Sequence, residues 1–371
     1  MTEGFGFDIK RFYYDDFQDE HSTPETRAHI VGVSEEAAAA NREFKASGGV
    51  ISDLNNPGLE VLLKDAPQLL DYQRLIKLNM GAAMMAFYDP FGHHEVPVLG
   101  ENFDEATIRW ATDQLFGMGL RWRGGLEASL LEEDLLTGAE KALILGCGAG
   151  HYPIQAVRKL MSEGCDLSST QLTLVDNNNL SIRQVREAGL TLPPGLITAV
   201  PRDVLHERGY RRDHLTGILG RWLMYGVRPI VSGRKIGDDY GAVTDFGLIG
   251  CYLPPNDFKA RAKLGPIAIA ATKKGGDASL RSMWEHTSHA ANNQRSVTVN
   301  SIVVPPEGSR GDAARLQHEL IEVIDWPALR LTPESEMLGR IALNCPGVQQ
   351  VEIHYDPNGI FVIYKIRNYK L

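Results

Sequence analysis

Cysteine is scarce. Cys147, Cys165, Cys251 and Cys345 are the only four in 371 residues, and no two share the short spacing that zinc sites and thiol redox pairs use. They are expected to be reduced thiols of a cytosolic chain. Long apolar runs are also missing, since no stretch approaches the ~18 uninterrupted apolar residues of a membrane helix. Met1-Thr2-Glu3-Gly4-Phe5 lacks the basic and apolar regions of a signal peptide. The expectation is a soluble, cytoplasmic protein with no membrane partner. Basic residues are not in surplus either: 38 Lys and Arg stand against 47 Asp and Glu, a net charge of −9. That sign disfavours a nucleic-acid partner gripped over the whole surface, although a local basic groove stays open.

Core-forming residues are plentiful. At 43% hydrophobic and 23% charged, the composition excludes a mostly disordered chain, and the length allows two or three packed units. Residues 1 to 135 read as mainly helical. Ser22-Thr23-Pro24-Glu25 is a cap-like helix start, Ser34 to Lys45 is alanine-rich, 67–87 is apolar with few breakers, and Ile108, Ala111, Leu115 and Met118 recur at helical steps.

After Gly138 the texture changes, and residues 136–371 read as an α/β domain. Short apolar runs at Ala142–Leu145, Leu172–Val175 and Leu196–Val200 alternate with helix patterns at about 151–163 and 178–188, as in a parallel sheet. Gly217-Ile218-Leu219 and Pro266–Ala270 are further strand candidates, and a long insertion is expected around 226–305. Alternation at Val351, Ile353, Tyr355 and at Ile360, Val362, Tyr364, Ile366 flanks the turn residues Asp356-Pro357-Asn358-Gly359, which predicts a terminal antiparallel hairpin.

The strongest local motif is Leu143-Ile144-Leu145-Gly146-Cys147-Gly148-Ala149-Gly150, a strand running into a glycine turn with helix pattern from His151. Glycines there admit positive φ and let a ligand lie against the turning backbone, and the helix that follows offers free amides. A tight turn without a ligand is the plainer alternative. The second strand ends in Val175-Asp176, where a doubly wound sheet places an acid for ribose hydroxyls, and the third is followed by Arg202-Asp203-Val204. Either acid could instead be a helix cap or a solvated loop charge.

Together these residues and the closing hairpin resemble the class I S-adenosylmethionine-dependent methyltransferases, well over about 140–225 and 330–371 and hardly at all over 1–135. The resemblance implies a doubly wound, Rossmann-like seven-stranded sheet with a terminal antiparallel hairpin, preceded here by an N-terminal helical cap. It implies S-adenosyl-L-methionine as cofactor, with Gly146, Cys147 and Gly148 beneath its methionine part. Asp176 would hold the ribose hydroxyls, Asn177 would pack at the adenine, and Asp203 with Val204 would meet the adenine amino group. The chain departs from the family in a longer stretch between Gly150 and Asp176, with Gly164–Ser168 as an inserted loop. It also lacks the short acidic or Pro-Pro-Tyr motifs of DNA and amine methyltransferases near Gly220–Tyr225.

Other cofactors fit less well. The dinucleotide fingerprint wants a third glycine where His151 stands, and no Gly-Lys-Ser/Thr follows the glycines. His93-His94-Glu95 and Trp284–His289 gather imidazoles and carboxylates, yet such pairs are more often solvated or hydrogen-bonded than metal-bound, and no metal is expected. Tyr88, in the aromatic run Phe87–Phe91, is the candidate for an acceptor-side contact, with core packing as the alternative. The expected function is methyl transfer to a small-molecule acceptor by direct displacement, with no catalytic residue singled out. A protein or RNA acceptor stays open, as does a homodimer. A cofactor-binding interaction protein or a non-methyl transferase on the same fold is the rival, and an NAD-dependent oxidoreductase stands behind both.

Overall fold

Alternation along Ala142-Leu143-Ile144-Leu145 sends successive side chains to opposite faces of a strand, and all four are buried, so both faces must be covered. In the computed structural model they are. The structure describes residues 4–15, 23–52, 55–78, 103–176, 178–201, 236, 239–245, 277, 280–291, 293–303, 315–316, 319–320, 323 and 331–370.

The chain opens with strand β1 (Asp8–Tyr13). Among the described residues five helices follow: α1 (Pro24–Ala46), α2 (Pro57–Asp65), α3 (Leu69–Leu78), α4 (Glu105–Asp113) and α5 (Leu115–Leu136). Side chains that favour caps start them. Thr23 accepts the Thr26 amide at 3.2 Å, Asn56 accepts that of Leu59 at 3.1 Å, and Asp104 accepts that of Thr107 at 2.8 Å. The two helical patterns read between 22 and 45 are one helix, and the pattern at 104–118 is broken at Gln114, which is extended.

Alternation of strand and helix then follows: β2 (Lys141–Leu145), α6 (His151–Ser162), β3 (Gln171–Asp176), α7 (Asn179–Gly189), β4 (Ile197–Pro201), β5 (Ala242–Asp245), β6 (Ser296–Val303), β7 (Leu331–Thr332), α8 (Glu334–Asn344), β8 (Gln350–Tyr355) and β9 (Phe361–Arg367). The sheet order is β1-β8-β9-β6-β5-β2-β3-β4, with the two-residue β7 beside β6. Strand β9 is antiparallel to β6 and β8, and the other pairs are parallel.

Two expectations are corrected. The sheet is not seven-stranded, because β1, from a segment read as helical, adds itself in parallel to the outer edge of β8, Asp8 opposite Gln350 through Tyr13 opposite Tyr355. Stacking of Phe12 on His354 and of Tyr13 on Tyr355 fastens it, with ring centroids 4.6 and 5.0 Å apart. The stretch 226–305 is also not a plain insertion, since it carries β5 and the whole of β6 in the middle of the sheet. Ala242-Val243-Thr244-Asp245 has only four residues and no apolar run, so it gives no strand pattern to read. The candidates Gly217–Leu219 and Pro266–Ala270 lie outside the described residues.

One face packs Leu143, Leu145, Val243, Val297 and Val299 against Trp284 and the Met337, Leu338 and Ile341 row of α8. The other packs Ala142, Ile144, Leu172 and Leu174 against α5, α6 and α7. Helix α5 crosses this second face over a polar layer, in which Lys365 of β9 contacts Asp134 and Thr298, and Arg367 pairs with Glu133 and Glu352. A third cluster joins α1 to α5 around Ile360 and Phe361, at the carboxyl edge of the parallel strands.

Candidate functional site

The chain builds β2, β3 and β4 toward one side and then returns to place β5 and β6 on the other side of β2. Strand order therefore reverses between β2 and β5. In open α/β sheets this reversal leaves a crevice at the carboxyl ends of the strands, which is where ligands bind. The glycine turn lies there.

Gly146, Gly148 and Gly150 all have positive φ, at 63°, 54° and 73°. Cys147 continues the ladder, its amide donating to the Val175 carbonyl at 3.1 Å. The turn closes through the Gly150 amide onto the Cys147 carbonyl at 2.9 Å. A Cβ on Gly150 would sit 2.9 Å from Leu174 Cδ2 and from Val185 Cγ2, so this glycine also lets α6 start close against β3 and α7. Burial pushes the Cys147 thiol well above its usual range, the nearby Asp176 carboxylate adds to this, and the thiol is thereby a poor nucleophile.

Asp176 ends β3. Its Oδ2 accepts the Gly148 amide at 2.9 Å and its Oδ1 accepts the Asn178 amide at 2.8 Å, while Asn178 caps α7. Gly146, Cys147, Gly148 and Asp176 are thus brought together at the crevice. Asn177, Asp203, Val204 and Tyr88 lie outside the described residues, as do His93, His94 and Glu95. Trp284–His289 is no cluster of ligands: Trp284 and His286 are buried in packing, and the His286 ring meets Tyr240 edge to face. Among the described residues no group of three or more His, Cys, Asp or Glu side chains could hold a metal ion.

Three buried residues that sequence reasoning passed over gather at the end of β5, on the other side of β2 from Asp176. Asp245 ends β5 opposite Leu145 in the ladder and is wholly buried. Asn300 of β6 donates from Nδ2 to the Asp245 carbonyl at 2.6 Å and to Glu127 Oε1 at 2.7 Å. Glu127 reaches them from α5, whose placement depends on Gly124: a Cβ there would fall 1.9 Å from the Tyr152 ring, and Tyr152 Oη donates to the Arg121 carbonyl at 3.2 Å. Burial, foremost, raises the Glu127 carboxyl to about 8, the Asp245 charge adds to the rise, and Arg123 and the Asn300 hydrogen bond oppose it. The available signal was Val243-Thr244-Asp245, which ends in an acid as Leu174-Val175-Asp176 does.

No family model and no curated protein sequence matches the chain. Among solved structures, one described as a possible exported protein from Bordetella parapertussis is similar over 94% of this chain and 99% of that one, at 12% identity and a TM-score of 0.56. That is a likeness of fold. Two others have lower TM-scores. Magnesium protoporphyrin IX methyltransferase from Synechocystis, with bound S-adenosylhomocysteine, has 10% identity over 69% of this chain and 88% of that one, with TM-score 0.40. PigF, also with S-adenosylhomocysteine, has 13% identity over 79% and 72%, with TM-score 0.40. At those scores neither decides what this chain binds. Among the described residues no helix is long and apolar enough to cross a membrane.

Proposed function

We propose that this chain is an S-adenosylmethionine-dependent methyltransferase that acts on a small-molecule acceptor by direct displacement. The observation that supports it most is the Asp176–Gly148 hydrogen bond at the carboxyl end of β2, the strand beside which strand order reverses, which sets a ribose-type acid beside a glycine-rich backbone turn. The residues fit the cofactor. Each oxygen of a carboxylate accepts more than one hydrogen bond, so accepting backbone amides does not bar Asp176 from accepting ribose hydroxyls. His151 in place of the third glycine of a dinucleotide fingerprint argues against a pyrophosphate.

When bound, S-adenosylmethionine supplies a methyl group activated by a positive sulfur. Asp176 would hold the ribose hydroxyls, Asn177, Asp203 and Val204 would serve the adenine, and Gly146, Cys147 and Gly148 would give the methionine part room against the backbone. Much of the chain's work is then alignment and exclusion of water. Helices α1 to α4 of the expected 1–135 cap are proposed to close over the carboxyl edge, because their core gathers on Ile360 and Phe361 at that edge, and Tyr88 is proposed to contact the acceptor. A cytoplasmic setting belongs to the same reading.

Calorimetry with S-adenosylmethionine, S-adenosylhomocysteine and NAD, followed by product analysis against a metabolite pool, tests the proposal. Binding of the first two together with formation of S-adenosylhomocysteine and a methylated acceptor is expected. Binding without product would favour an interaction protein, and binding of NAD alone would favour an oxidoreductase.

A further inference from the structure

Glu127 is 1% exposed, and its two carboxyl oxygens are treated differently. Oε1 accepts from Asn300 Nδ2, whereas Oε2 has no hydrogen-bond partner among the described residues. An ionised carboxylate left half-satisfied in a dry site is costly, and the carboxyl avoids this cost by keeping its proton. The same Asn300 amide binds the Asp245 carbonyl, which ties Glu127 to the end of the strand that borders the crevice.

We infer that Glu127 is a proton-holding group of the site, neutral in the free protein, which releases its proton when a ligand with a positive centre enters the crevice between β2 and β5. The inference rests on the proposed function, because the sulfonium of S-adenosylmethionine is such a centre and the thioether of S-adenosylhomocysteine is not. Arrival of the cation favours the charged carboxylate, so the proton leaves to solvent and the ion pair forms in its place. The carboxyl pKa of about 8 in the free protein puts this exchange at neutral pH. Among the described residues the groups facing it are Arg123 on its own helix, Asp245 from β5 and Asn300 from β6. Lys365 of β9 is engaged by Asp134 further along α5, and Tyr152 of α6 by the Arg121 carbonyl.

The experiment is calorimetric titration of the full chain with S-adenosylmethionine and with S-adenosylhomocysteine, in buffers of different ionisation enthalpy, from pH 6 to 9. Wild type should release more proton with the sulfonium ligand. The affinity ratio of the two ligands should rise with pH, at most about tenfold per unit, and level off above about 8. In Glu127→Gln the ratio should lose this dependence beyond what the ligands' own amino groups contribute, which is common to both proteins. Asn300→Ala, which removes a hydrogen bond that favours the charged form, should move the plateau to higher pH. Equal proton release for both ligands in wild type, or an excess that survives in Glu127→Gln, would overturn the inference while leaving the cofactor assignment standing. Failure of both ligands to bind would overturn the proposed function and this inference with it.

Discussion

Asp176 fixes the glycine turn from the neighbouring strand: its Oδ2 accepts the Gly148 amide at 2.9 Å, while its Oδ1 holds the Asn178 amide that starts α7. One carboxylate thus sets the shape of the crevice floor and the position of the helix beside it. A residue chosen from the sequence for binding a ligand turns out to organise the backbone that would receive it.

Asp176→Ala should therefore act twice. Loss of charge-assisted hydrogen bonds to backbone amides, at about 1.5–3 kcal/mol each, should lower the urea midpoint, and affinity for S-adenosylmethionine should fall by at least tenfold. Asp176→Asn keeps an acceptor oxygen and should recover more stability than affinity. Equal affinity in wild type and both variants, measured calorimetrically, would remove the ribose role.

Gly150→Ala tests the packing of the turn rather than its chemistry. The residue has φ +73°, and the added Cβ would lie 2.9 Å from Leu174 Cδ2 and Val185 Cγ2. Left-handed strain of about 1–2 kcal/mol and the crowding add, so the loss on chemical denaturation should exceed 2 kcal/mol. An unchanged midpoint would mean that the turn is not held as described.

The buried ammonium of Lys365 sits against Asp134, the Leu130 carbonyl at 3.3 Å and Thr298 Oγ1 at 3.1 Å, under α5. Burial lowers its pKa and Asp134 opposes that. Removing one partner leaves a charge without its counterion, so Lys365→Met alone should cost about 3–5 kcal/mol, and adding Asp134→Leu should return much of it. A double-mutant cycle in urea measures the coupling, and additive losses would refute it.

Glu352 answers to pH. Burial works to raise its carboxyl, but His354 and Arg367 outweigh this and hold it down at about 2, from a usual value of 4.5. A depressed folded pKa gives stability that is present above about 4.5 and lost as pH falls toward 2. Glu352→Gln should therefore flatten acid unfolding over this window while lowering stability at neutral pH, as thermal melts between pH 2 and 7 would show.

How much of this was legible follows from how local each signal is. The run Leu143 to Gly150 and the end of Leu174-Val175-Asp176 carry strand, turn and acid in adjacent residues, and the terminal hairpin carries its own turn chemistry, so all three were readable. Asp245 was not, because its strand has four residues and takes its identity from β2 and β6 on either side. Glu127 was not, because only the helix's seat on the sheet turns an acid of α5 into a buried one next to Asn300. Strand β1 was misread because Asp8-Ile9-Lys10-Arg11-Phe12-Tyr13 shows no clean alternation and becomes a strand by pairing with β8, 342 residues away at Asp8 and Gln350.

That late pairing makes the N-terminal strand a test of whether stability and binding are separable in this fold. Removing residues 1–15 takes away the backbone bonds of β1 to β8, the Phe12 stack on His354, and the contact of Tyr14 Oη with His354 Nδ1 at 3.1 Å. It also takes Phe7, which is 5% exposed, out of the core beside Val351 and Ile353. The edge of β8 left bare presents unpaired amides and carbonyls, which recruit another strand unless covered. The truncated chain should thus unfold at lower urea and self-associate in sedimentation. Between β8 and β2 lie β9, β6 and β5, so the glycine turn and Asp176 should stay in place. Affinity for S-adenosylmethionine, measured on the monomeric fraction, should then change less than threefold. A truncated chain that stays folded and monomeric but no longer binds would show that β1 acts on the crevice and not only on the edge.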